Sequence, residues 1–132
     1  MLHTAGHDIG YLLLHSQRKR MTAIVIIYII FIIFSAKIDA EHINRQQYFS
    51  DHFSRFVLRF VVTLGMSSGV LEFVLLSSLF WAIFDITLNY FTGNKLLYVG
   101  KTAWIDKQFN KIPIVYFLLK IIVLTISVIC YI

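Results

Sequence analysis

A chain of 132 residues has room for one domain, read here as a single membrane domain over 1–132. Apolar residues make up 58% of it and charged residues 14%, against roughly 45–50% and 25% in soluble domains, which excludes an ordinary water-soluble fold. The net charge of +5 does not point to nucleic acid, because the bases flank apolar runs and read as orientation signals and lipid-headgroup contacts.

Residues 1–20 are a mixed polar start that ends in Arg18-Lys19-Arg20. Tyr11 and Leu12–Leu14 suit an arm on the membrane surface. His3 and His7 are one turn apart, but with no further ligand nearby they read as solvated polar residues. The first span follows the basic triplet. Met21–Ala36 is 16 residues without a charge. It covers roughly 24 Å of a roughly 30 Å hydrocarbon core. Arg20 and Lys37 lengthen it by snorkelling, giving a span of about 21–38. A signal peptide would share the basic start and apolar run, but the run begins only at residue 21 and no clean A-x-A site follows. A retained span is therefore expected. Lys37–His52 is polar and is expected to be a loop or a short surface helix.

From Phe53 to Phe91 only Arg55, Arg59, Glu72 and Asp85 are charged. One helix of that length would measure about 58 Å, more than a crossing needs. Two crossings would turn at Gly65–Gly69 and place both arginines in a short first span. The preferred reading is an amphipathic, interfacial helix from about Gln46 to Arg59, then a tilted span over 60–84. Asp51, Arg55 and Arg59 recur every fourth residue and so share one helix face. Gly65-x-x-x-Gly69 is a small-xxx-small match and reads as a helix-packing face.

Thr92-Gly93-Asn94 is a helix stop, since glycine accepts the left-handed conformation past a C-terminus. Residues 92–111 form a polar loop. Its Gly100-Lys101-Thr102 lacks the upstream glycine of a phosphate-binding loop. Pro113 suits the first turn of a last span, 112–132, whose single charge is Lys120. With three spans, Arg18, Lys19 and Arg20 share a side with Lys95, Lys101, Lys107 and Lys111. The positive-inside rule then puts the N-terminus and loop 92–111 in the cytoplasm and the C-terminus outside.

Two charges fall near mid-span in this scheme, Glu72 and Lys120. Each alone costs at least about 2.5 kcal/mol at the bilayer centre, so a buried Glu72–Lys120 pair between the last two spans is expected.

The stretch Phe84-Asp85-Ile86-Thr87-Leu88-Asn89, with Tyr98-Val99-Gly100-Lys101-Thr102 and Asp106, resembles a pattern in small uncharacterised membrane proteins of bacteria and their phages. The resemblance implies no activity. It implies that Asp85, Asn89, Tyr98, Gly100, Thr102 and Asp106 form one folded cytoplasmic cap.

The expected fold is an all-α membrane protein with three transmembrane helices and an amphipathic helix before the second. No catalytic set, cofactor-binding set or metal-ligand set stands out. The expected function is that of a non-enzymatic membrane component in the cell membrane. It would act through self-association or contact with a larger membrane protein, in the lipid bilayer and without nucleic acid. A holin-like oligomeric pore is an alternative. A small subunit for ion- or proton-coupled transport or its regulation is another.

Overall fold

The computed structural model describes residues 5–45, 52–99, 108, 109 and 111–132, with side chains from Leu12 in the first helix and Phe53 in the second. Among the described residues the fold is carried by four helices: α1 (Ala5–Asn44), α2 (His52–Met66), α3 (Val70–Thr92) and α4 (Pro113–Tyr131). No strand occurs among the described residues. Three helices, α1, α3 and α4, are long and apolar enough to cross a bilayer. The fourth, α2, is the amphipathic helix expected before the second span.

The first difference from the sequence reading is the length of α1. At 40 residues it measures about 60 Å and runs straight through Lys37–Asn44, part of the segment expected to be a loop or a short surface helix. Tyr28, Ile32, Ala36, Asp39 and Ala40 are all buried, one stripe at steps of three and four. The stripe does not stop where the charges begin, so neither does the helix.

The second difference is where the middle span starts. The chain breaks at Ser67–Gly69, so the span is Val70–Thr92 rather than 60–84. The extended backbone of Gly69 leads directly into α3. Gly65 therefore lies at the end of one helix and Gly69 precedes the next. A methyl group added at either would meet nothing within 4 Å. The Gly65/Gly69 packing face is corrected accordingly: a break between two glycines removes the shared helix surface that the motif needs.

Helix directions follow from the contacts. Arg20 reaches Glu72, and Tyr28, two turns on, lies against Phe80, two turns on from Glu72. So α1 and α3 run parallel. Between them α2 runs back: Arg55 meets Asp39, Thr63 meets Tyr28, and Phe60 meets Phe73. Finally α4 is antiparallel to α3, with Lys120 beside Asp85 and Tyr131 beside Glu72. The 15 residues of α2 cover about 22 Å, most of the depth of the bundle.

This return stroke overturns the premise of the orientation argument. The Arg18–Arg20 end of α1 lies with the start of α3 and the end of α4. Lys95 follows the far end of α3, and Lys111 precedes α4 at that same far end. The two basic groups sit at opposite ends of the bundle, and the chain's first and last helices begin and finish at one end. Lys101 and Lys107 lie outside the described residues.

Packing explains why α2 stands upright instead of lying flat. Its Arg55, Arg59 and Thr63 share one face, which points inward at Asp39 and Tyr28. Phe53, Phe56, Leu58, Phe60, Val61 and Leu64 are exposed on its outer side. A helix at a water surface has the reverse arrangement. Here the outer face suits lipid and the polar stripe has partners inside. Tyr28, Ile32 and Leu76 form the core between α1 and α3, with Phe80 and Phe84 against them. A second core, Val99, Tyr116 and Phe117, closes the far end with Trp81 and Phe109.

Candidate functional site

Among the described residues three clusters of charge lie within the bundle, each joining two or more helices. The first is centred on Asp39 of α1. Its two oxygens take Arg55 Nη1 at 3.1 Å and Arg59 Nη2 at 2.6 Å. The four-residue spacing of the arginines lets both reach one carboxylate. The Arg59 guanidinium also covers the Phe84 ring at 4.5 Å and the Phe80 ring at 5.7 Å, a cation–π contact that ties α2 to α3. One helical turn further along α2, Thr63 and Tyr28 share a hydrogen bond, and the Thr63 hydroxyl donates to the Arg59 carbonyl. Asp51, expected on the arginine face, lies outside the described residues.

The second cluster joins α3 and α4. Lys120 pairs with Asp85, and its ammonium sits 4.3 Å from the Tyr116 ring centre, 5.1 Å from Phe117 and 5.4 Å from Trp81. The Trp81 indole N–H donates to the Tyr116 hydroxyl at 3.3 Å. The Lys120 side chain is only 1% exposed, whereas Asp85 is 33% exposed. A lysine so deep needs both a counter-charge and ring faces to replace its water.

The third cluster sits at the start of α3. Glu72 occupies the third helical position and reaches back: its Oε2 accepts the Ser68 N–H and the Ser68 hydroxyl, both at 2.8 Å. That is a capping box displaced by one residue, satisfying a backbone donor that the break would leave orphaned. Arg20 of α1 donates to both Ser68 and Glu72, at 2.7 and 3.2 Å. The Tyr131 hydroxyl of α4 donates to Oε1 at 3.4 Å. Three helices thus meet on one carboxylate.

The expected Glu72–Lys120 pair is corrected by these partners. Glu72 binds Arg20, and Lys120 binds Asp85. The depth estimate put Glu72 at the middle of a span from 60 to 84. With the span starting at Val70, Glu72 falls in its first turn, 13 residues or about 20 Å from Asp85 along α3. Glu72 therefore faces the end of α4 rather than its middle.

Of the residues that the resemblance groups into a cap, Asn89 and Tyr98 are among those the structure describes. Asn89 is buried, and its Nδ2 donates to the carbonyls of Leu96 at 3.0 Å and Tyr98 at 2.7 Å. Gly93 takes φ of 72°, and the N–H groups of Gly93 and Asn94 bond back to Tyr90 and Asn89. This closes α3 in the expected left-handed stop. Asp85 is not in the cap; it is turned to Lys120. Gly100, Thr102 and Asp106 lie outside the described residues, as do the side chains of His3 and His7.

Sequence reasoning missed Asp39, Arg20, Tyr28 and Tyr131 as members of these clusters. Asp39 carried a signal: it continues the Tyr28, Ile32, Ala36 stripe. Among the described residues every buried side-chain nitrogen and oxygen has a hydrogen-bond partner, and no group of three or more metal-ligating side chains occurs. In each cluster the carboxylate is taken up by a cation from another helix, which fixes helix register and direction.

The fold and its charge clusters define a small multi-pass membrane protein of helical type. Searches of protein-family models, of curated proteins and of solved structures give no significant match to this chain.

Proposed function

We propose that this protein is a non-enzymatic membrane component that works through contacts with other proteins inside the bilayer, including copies of itself. The observation that carries this reading is the division of labour between inside and outside. Among the described residues the charged side chains inside the bundle are engaged in helix-to-helix pairs. The outer faces of all four helices present large apolar side chains. Such a body has a fixed internal register and a wide apolar surface for neighbours that replace lipid. The resemblance of residues 84–106 to small bacterial and phage membrane proteins supports a phage or mobile-element origin.

For orientation, the first helix and its flanking bases usually dominate, so Arg18–Arg20 favour a cytoplasmic N-terminus. Because the chain ends at the same end of the bundle, the C-terminus is then cytoplasmic as well. The test of function is photo-crosslinking in native membranes from Phe56, on the outer face of α2. Discrete adducts with itself or with one other membrane protein are expected. A chain that yields only lipid adducts at any expression level contradicts the reading.

A holin-like pore is the second reading, and the polar stripe of Arg55, Arg59 and Thr63 on α2 favours it. Turned outward in an oligomer, that stripe would line a lumen. Dye leakage on induced expression would support the pore; intact dye retention with crosslinked oligomers would support the contact reading.

A further inference from the structure

A groove of about 960 Å³ opens at the end of the bundle where α1 passes the start of α3 and the end of α4. That volume is within the roughly 300–1,000 Å³ of small-molecule sites. One wall is a stripe of α1 at helical spacing, Leu14, Arg18, Met21 and Val25; Val70 and Ile132 face it. The wall is apolar but for a few polar groups, and those are unequal. Arg20 is held by Ser68 and Glu72. Arg18 is exposed, lines the groove and makes no ion pair among the described residues. Its level matters too. The uncharged run of α1 begins at Met21, so Arg18 stands about one turn outside the hydrocarbon, at the depth of lipid phosphates.

We infer that this groove binds an anionic glycerophospholipid of the bilayer, its phosphate on Arg18 and one acyl chain along Met21 and Val25. The charge balance selects the headgroup. Among the described side chains, Arg18, Lys19 and Arg20 stand at this end against Glu72, which is already shared between Arg20, Ser68 and Tyr131. A zwitterionic lipid gains the same apolar wall but brings a cation to a basic mouth. Basic recesses between membrane helices recognise anionic headgroups for this reason. The site goes beyond the protein-contact reading and stands without it, since it requires only that α1 spans the membrane packed against the start of α3 and the end of α4.

The test uses the purified full chain in phosphatidylcholine nanodiscs with graded phosphatidylglycerol, then counts retained lipids by native mass spectrometry. One phosphatidylglycerol retained in preference to phosphatidylcholine is expected. Arg18→Gln should weaken that preference about fivefold, and Lys19→Gln, off the groove wall, by clearly less. Val70→Trp fills the groove without altering charge and should weaken it as much as Arg18→Gln; if that variant does not fold, Val25→Trp tests the same space. Equal effects of Arg18→Gln and Lys19→Gln, or an undiminished preference with the groove filled, would reduce the binding to diffuse attraction by the basic triplet and overturn the site.

Discussion

The α1–α2 half and the α3–α4 half of this protein solve the same problem differently. Both must hold a cation inside a membrane bundle. In the α1–α2 half, two guanidiniums share the carboxylate of Asp39, and all three side chains are 8–16% exposed. Arginine's planar fork can bind a carboxylate on one edge and lie over the Phe84 ring with its face. In the α3–α4 half, the Lys120 ammonium pairs with the Asp85 carboxylate, and three aromatic rings surround the Lys120 side. Lysine is a compact, strongly hydrated point charge, so it needs a closed box. The difference teaches that removing a partner should cost in proportion to how deeply the stranded charge lies, not to how many bonds it made.

The largest effect should follow Asp85→Ala. It removes the carboxylate paired with the buried Lys120 ammonium, and losing one member of a buried pair costs about 3–5 kcal/mol. Thermal unfolding in detergent should show this as a large drop. Replacing both members, Asp85→Leu with Lys120→Met, should recover most of the loss, because apolar pairs of similar volume often substitute for buried ions at little cost. If the double variant were as unstable as the single, the pair would not be the source of the effect.

Asp39→Ala should cost less, on the order of 2 kcal/mol, since the two arginines are nearer water and can lengthen toward it. Its distinctive sign is local. Hydrogen exchange should rise in α2 before it rises in α3 or α4, because Asp39 ties Arg55 and Arg59 of α2 to α1. Uniform exchange across all four helices would show that α2 is held by something other than Asp39.

Glu72→Gln should be milder again, about 1 kcal/mol, the scale of a helix cap. The amide oxygen can still accept from Ser68, and Arg20 is 47% exposed and able to find water. The smallest change is Gly65→Ala. Nothing lies within 4 Å of the added methyl, so the variant should match or exceed the parent by up to about 1 kcal/mol through helix propensity alone. A clear loss of stability or of self-association would restore Gly65 to a packing face.

Much of the fold was legible in the sequence because length and charge density act locally. The spans that became α1 and α4, the amphipathic character of α2 and the stop at Gly93 all follow from runs of residues close in the chain. Asn89 was singled out only through the resemblance, and its donation to the Leu96 and Tyr98 carbonyls depends on a loop path that no local pattern displays. The partners of Glu72 and Lys120 were not legible. They depend on helix direction, which turns on whether Ser67–Gly69 interrupts the chain. The two arginines of α2 argued against a second crossing as long as they were counted as charges in lipid. They cease to do so once Asp39, in a segment whose polarity reads as a loop, is placed on a helix that faces them.

The return stroke of α2 is the claim on which the rest depends, since it makes α1 and α3 parallel and brings the chain back to the end where it began. The direct measurement is the sidedness of reporter domains fused before Met1 and after Ile132, read by protease protection in sealed membrane vesicles. The structure predicts that both reporters lie on the same side. Reporters on opposite sides would mean that α2 does not carry the chain back across the bilayer and would contradict it.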